Sequence, residues 1–307
     1  MRKATSYLGW KIDYGRPVGE AALLHPSSMH WRVYKNTVAL AVGGVAAVLM
    51  EFADARIRSG VWDHSTYKID PIGRSGRTAV AAMVGVYGPQ SAARRVIRGV
   101  GNMHGKVNGR TPGGENYRAL EPELLDWVSA TAAYGFVTAY DRFVAPLSEL
   151  DKTRFYHEGE TIARLYGVEV CPRSTADVMA MMMKRADRFE PHPIVDEFLT
   201  IVQSGKAAPA APKFLHRTLS RGAVSILPPL IRQRLALGPA YDLTLADRMM
   251  LGGLGALTEH RADPESAPCR ASLRLGLPGN FLYRNAAGQA RLLENAGLAE
   301  DPMAAAA

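Results

Sequence analysis

Cysteine is scarce. The 307 residues hold two, Cys171 and Cys269, far apart and in no Cys-x-x-Cys pair. A thiolate zinc site and a disulfide-built scaffold are therefore excluded, and no oxidising compartment is demanded. Long apolar runs are missing too. The longest, Val38 to Met50, spans 13 residues, short of the ~20 that a membrane span requires. No glycine-rich phosphate loop follows a strand pattern: Gly43-Gly44 falls inside that apolar run, which argues against a dinucleotide fold. No Gly-x-Ser-x-Gly elbow occurs, which removes a serine hydrolase of that type. Strand-like alternation is absent throughout, and so is any internal repeat. Acidic residues are in deficit, 29 against 37 basic.

What is present describes a folded, mostly helical chain. Apolar residues make up 47% and charged residues 21%, enough to build one large core. The net charge of +8 favours anionic partners. It is spread along the chain rather than gathered in a stripe, so nucleic acid is not an expected partner. Met1 to Tyr14 lacks the apolar centre of a signal peptide, and the expected location is the cytoplasm. Leu227 to Leu257 mixes basic and apolar residues, which leaves peripheral membrane contact open. Self-association is equally open.

The expected fold is all-α, a single large helical domain enclosing a pocket. Residues 1–35 read as an irregular N-terminal segment, 36–203 as the helical core and 204–307 as a helical extension packed on it. Asn36 is an N-cap for a helix from Thr37 to about Arg58, and Gly60 to Gly73 reads as a loop or broken helix. Helices are expected at about Arg74–Tyr87 and Gln90–Val107, with Asn108–Asn116 a turn-rich loop. Another starts at Glu121-Pro122, where proline in the first turn is tolerated. Ser148 and Asp151 form a capping-box pair for a helix ending at Tyr166, with Gly167 beyond it. Ser174–Phe189 carries four methionines. The Ala/Pro-rich stretch from 204 reads as a linker or surface loop, followed by helical patches at Leu227–Leu237 and Leu243–Leu257. The tail AEDPMAAAA is expected to fray.

Three constellations carry chemistry. Arg74, Arg77 and Thr78 share a helix face at i, i+3 and i+4, followed by Ala81, Ala82 and Gly85. Two guanidiniums beside a small-residue surface suit a flat ligand with carboxylates, although a solvated basic helix start has the same spacing. His104 lies on an apolar stripe of Val96, Val100, Met103 and Val107. An inward histidine needs a partner. A backbone carbonyl would serve. A metal is the sharper alternative, and with no second ligand on the helix a haem iron fits better than zinc. Asp63-His64 is an acid–base pair in sequence, yet adjacent residues on an extended chain point apart. The methionines at 179–183 read as core filling or as the wall of an adaptable apolar pocket.

Taken in order, these elements resemble the MpaB-type oxygenase family, which includes the rubber oxygenases. The resembling segments are GVWDHS at 60–65, Asp70-Pro71, Arg74-x-x-Arg77-Thr78, His104-x-x-Val107-x-Gly109, Tyr117-Arg118-Ala119, Trp127-Val128-x-Ala130-Thr131, Ala139-Tyr140, Pro146-Leu147-Ser148 and Leu165-Tyr166-Gly167. They run over residues 30–200. The resemblance implies an all-α fold, haem b as cofactor, and dioxygen or a peroxide used against an apolar organic substrate. By position it implies His104 as the iron ligand, with a second-shell acceptor on its other nitrogen, and Arg74, Arg77 and Thr78 at the haem. Arg77 stands where the rubber oxygenase has a lysine able to occupy the distal side; arginine stays protonated and is a poor iron ligand. Asp54-Ala55 and Ser129 stand where many relatives have histidines. Glu51, Asp54 and Asp63 are candidates for the acidic base, with Asp63 the choice. The remaining alternatives are a non-catalytic haem sensor or carrier, and a haem-free basic protein binding anionic lipid or nucleic acid.

Overall fold

Side-chain caps set most of the helix starts. In the computed structural model, which describes residues 6–7, 10–66, 68–206 and 212–299, the Asn36 carboxamide accepts from the amides of Val38 and Ala39 and opens a central helix. The Ser148–Asp151 capping box is formed on both sides, and Gly167 takes a positive φ of 88° just past its helix. Fourteen α-helices are found among the described residues. They are α1 (Met29–Tyr34), α2 (Thr37–Phe52), α3 (Ala55–His64), α4 (Pro71–Tyr87), α5 (Gln90–His104), α6 (Pro122–Phe143), α7 (Glu149–Leu165), α8 (Thr175–Met183), α9 (Pro193–Gln203), α10 (Lys213–Ser225), α11 (Pro229–Arg234), α12 (Leu245–His260), α13 (Ala267–Arg274) and α14 (Ala286–Asn295). Two small antiparallel hairpins complete the fold: β1 (Ser6–Tyr7) with β2 (Trp10–Lys11), and β3 (Asn108–Arg110) with β4 (Asn116–Arg118), the latter in the register Gly109 opposite Tyr117. The fold is all-α, as expected.

The core is organised around α2 and α6. They cross with their backbones in contact at Gly43 and Gly135: a Cβ on Gly43 would stand 2.6 Å from the Gly135 carbonyl oxygen. This is why each of the two helices carries a glycine at the crossing, where glycine loses about 1 kcal/mol against alanine. Around this pair α1, α9, α10 and α12 pack on α2, and α7, α8 and α12 on α6. The C-terminal region is tied down through Lys35, which donates to the Leu282 carbonyl at 2.8 Å and pairs with Glu259 at 2.9 Å. Tyr140 also donates to Glu259, at 2.7 Å. No described helix is long and apolar enough to cross a membrane.

Several boundaries differ from the sequence reading. The central helix ends at Phe52 rather than near Arg58, because Asp54 leaves the helix and caps a new one, accepting from the Arg56 amide at 3.0 Å. Gly60–His64 is the end of α3 rather than loop, so the connection to α4 is only 65–70. Residues 108–116 form most of a hairpin rather than a bare loop, and α1 interrupts the segment read as irregular. The methionine helix stops at Met183, with a 3-10 turn after it, and α9 starts at Pro193, a proline that occupies the first turn. Of the Ala/Pro-rich stretch, residues 207–211 lie outside the described residues, as do 300–307 of the tail.

Candidate functional site

The helices α4 and α5 form a hairpin that packs on itself, and α4 packs further on α1 and α13 rather than closely on α2 or α6. The anchoring is uneven. Val84 to Tyr87 at the end of α4 are buried, and the Tyr87 hydroxyl donates to the Trp31 carbonyl at 2.7 Å. The preceding turns, through Val80 to Met83, are only partly buried. Facing them, α2 is enclosed by other helices yet keeps a partly accessible stripe: Ala41, Gly44, Val45, Val48 and Glu51. That spacing is one helix face, and its Glu51 end lies close enough to Arg74 of α4 to feel that charge, so we read the stripe and the partly buried turns of α4 as the borders of one slot. Its walls are small or apolar. A Cβ on Gly44 would meet only the Phe136 ring, at 3.9 Å.

The polar groups gather at one end of this slot. Glu51, at the end of α2, is pushed up to about 7 by burial, against the pull of Arg74 and of a hydrogen bond from Thr131 at 3.3 Å. His104, at the end of α5, is held below the ordinary imidazole range by burial and by the Arg74 cation. Arg74 is thus the common neighbour of an acid and a histidine 53 residues apart in the sequence. The Arg74 guanidinium is steadied by Ser65, whose hydroxyl accepts from Nε at 3.1 Å, and by Thr78. Thr78 in turn donates to the Arg74 carbonyl at 3.1 Å. Neither ring nitrogen of His104 is engaged by another described residue, so the expected acceptor on its second nitrogen is not found among them.

The other predicted residues go elsewhere. Arg77 turns back to the loop before α4, donating to the Thr66 hydroxyl at 2.7 Å and facing Asp70 at 3.5 Å. Asp63 is exposed and accepts from Tyr117 at 3.3 Å, and the His64 ring stands edge-on to the same tyrosine at 6.4 Å. Asp54 is buried in a structural ion cluster with Arg56 at 3.4 Å and Arg185 at 3.5 Å. The stripe expected to carry His104 is buried at Val96 and Val100, but Met103 is 40% exposed. In α8, Met182 fills core and Met183 is 60% exposed, which is core packing and surface rather than a continuous pocket wall. Glu51 was one of three candidate acids. The signal that distinguishes it is its place directly after the longest apolar run, in register with the accessible face of that helix, where a lone carboxylate needs a reason.

The donor set suits a flat macrocycle that brings its own metal ligands. Among the described residues no three His, Cys, Asp or Glu side chains gather to cage an ion. One unengaged imidazole, one cation and small-residue walls are what a porphyrin leaves for the protein to supply.

The family model described as ER-bound oxygenase mpaB/B′/rubber oxygenase, catalytic domain, matches residues 31–260. The chain belongs to that family. No curated protein and no solved structure matches it. The matched span takes in α2 through α12, hence every wall of the slot together with Glu51, Arg74, Thr78 and His104. Oxygenase catalytic domains act on a substrate with dioxygen, and the matched span contains the place where Glu51, Arg74 and His104 come together.

Proposed function

We propose that this MpaB-family oxygenase uses haem b and acts on an apolar organic substrate in the slot between the α2–α6 and α4–α5 pairs. The observation carrying this reading is the meeting of His104, Arg74 and Glu51 at one end of an apolar slot. Haem b, when bound, supplies an iron centre that activates dioxygen or a peroxide. His104 would hold the iron through an imidazole nitrogen; its lowered proton affinity favours the neutral form that can ligate. Arg74 would pair with the propionates or with negative charge developing near the iron, and Arg77 would join it only by leaving Thr66 and Asp70. Thr78 orients Arg74. Glu51 titrates near neutrality, so its carboxyl oxygen can take a proton from the substrate or return one. Asp63, hydrogen-bonded to Tyr117, is the alternative base. Val45, Val48 and Phe136 exclude water and give an apolar substrate its surface.

The test is a visible spectrum of the purified protein, as isolated and after dithionite, with a pyridine haemochrome assay. A stoichiometric b-type signal is expected in the wild type, and its loss or strong shift in His104→Ala. Colourless protein that also fails to take up added haemin would overturn the reading. A wild-type spectrum in His104→Ala would remove His104 from the ligand role.

A further inference from the structure

Where the end of α7 meets α5 there is a cleft of about 480 Å³, and its lining is divided by chemistry. Arg95 and Arg98 supply charge; Ile97, Leu165 and Tyr166 supply apolar surface; Gly101 leaves the floor open, since a Cβ there would meet nothing within 4 Å. The two arginines are exposed and lie at i and i+3, on one helix face. Neither has a carboxylate partner among the described residues, and α5 contains no acidic residue at all. Several other arginines are matched by carboxylates: Arg56 by Glu121 and Glu123, Arg164 by Glu160, Arg221 by Asp247. An unmatched like-charge pair beside an apolar cleft is a place for an anion that arrives with an apolar body.

The cleft also has a direction. Ile97, Gly101 and His104 stand at i, i+4 and i+7 of α5, so the face that floors the cleft leads to His104. From Arg98 to His104 the helix rises by ~9 Å. On the far wall Tyr166 packs against the core beside Tyr34, whose ring lies 5.0 Å from that of Phe136 at the slot.

We propose that the cleft binds the carboxylate of a single-chain amphiphile, a long-chain carboxylic acid. Arg95 and Arg98 hold the acid group, and the chain runs over Ile97 and Gly101 toward His104. This names the substrate class of the oxygenase reading and rests on that reading only for the meaning of the far end. The binding itself is independent of any cofactor.

The experiment is isothermal titration calorimetry of the purified full chain with decanoate, decanol and acetate. Decanoate is expected to bind one to one, about tenfold or more tighter than decanol, with no measurable heat from acetate. The double variant R95Q/R98Q is expected to weaken decanoate about ten- to a hundredfold and leave decanol unchanged. G101L, which fills the open floor, is expected to abolish binding of both, with an unchanged far-ultraviolet circular dichroism spectrum. Equal affinity for decanoate and decanol, or undiminished decanoate binding in R95Q/R98Q, would overturn the proposal. So would retention on phosphatidylglycerol vesicles without decanoate binding, which would give the arginines to a bilayer headgroup. Loss of haem from R95Q/R98Q at unchanged fold would give them to the cofactor, with the same result. The expected binding pattern in protein that takes up no haem would sustain the carboxylate site while the oxygenase reading fell.

Discussion

Where α2 crosses α6, two glycines let the backbones touch, and the neighbouring faces are filled with buried apolar side chains. Where α4 and α5 stand beside that pair, the stripe of α2 from Ala41 to Glu51 and the first turns of α4 stay partly accessible, and these helices carry arginines, a histidine and small residues. Both regions are helix pairs of similar length. They differ in what the facing positions can bury. Apolar and small faces gain from contact, by about 25 cal/mol for each Å² removed from water. A face carrying Arg74 and His104 opposite Glu51 would have to desolvate charge to close, so it stands open. The same pair of elements thus serves as scaffold on one side and as site on the other.

Asp54 and Glu51 sit three residues apart on opposite sides of this divide and give the sharpest contrast. Asp54→Ala removes the α3 cap and leaves Arg56 and Arg185 with a buried partner missing. A loss of about 4 kcal/mol in chemical denaturation is expected, with haem content per folded molecule unchanged. A haem-deficient but stable variant would place Asp54 on the wrong side of the comparison. Next comes the helix crossing. Gly43→Val drives a side chain into the Gly135 carbonyl, and a loss of about 3 kcal/mol is expected, read as a fall in melting temperature.

Glu51 shows the opposite sign. Its affinity for a proton is raised in the folded state, from 4.5 to about 7. The folded chain therefore holds that proton over a range in which the unfolded chain has released it, and stability falls as pH rises from 4.5 toward 7. Above pH 7 the penalty is constant. Glu51→Gln is expected to stabilise the protein by roughly 2 kcal/mol at pH 8, a value kept below the full shift because the slot admits water, and to give no gain at pH 4. Denaturation curves at the two pH values check this; equal effects at both would mean that Glu51 is not desolvated. The smallest effect is expected at Gly44→Ala, one residue from the crossing. There the new methyl group meets only the Phe136 ring at 3.9 Å, so the change in stability should lie within about 1 kcal/mol. A collapse comparable to that of Gly43→Val would show that α2 is pressed on both faces and that no slot exists.

Much of the fold was legible without coordinates. Asn36, Ser148, Asp151 and Gly167 mark helix ends through contacts that span at most four residues, and a local rule reads them. The Arg74–Thr78 face and the apolar side of α5 through Val96 and Val100 followed from helical spacing in the same way. The break at Ala53–Asp54 was missed because the apolar run masks it: only the cap geometry and the Arg185 partner, 131 residues on, make Asp54 end one helix and begin another. Asp63 was the choice among Glu51, Asp54 and Asp63; that Glu51 is the buried one beside Arg74 while Asp63 is exposed and bonded to Tyr117 depends on how α2, α3 and α4 pack, which local spacing does not carry.

The amino-acid sequence by itself determined that the chain is all-α, that it carries an arginine face on α4 and an acid-free basic helix in α5, and that a single histidine ends that helix. Those features depend on residue type and on periods of three and four. Only the tertiary structure decided that Glu51, Arg74 and His104 meet, that Asp54 is a strut, and that the Arg95–Arg98 pair borders a cleft leading toward the histidine. Such relations join residues 53 positions apart for Glu51 and His104 and 131 apart for Asp54 and Arg185. They depend on how closely two helices can approach, and here that is set by Gly43 and Gly135 on one side and by the cost of burying unmatched charge on the other.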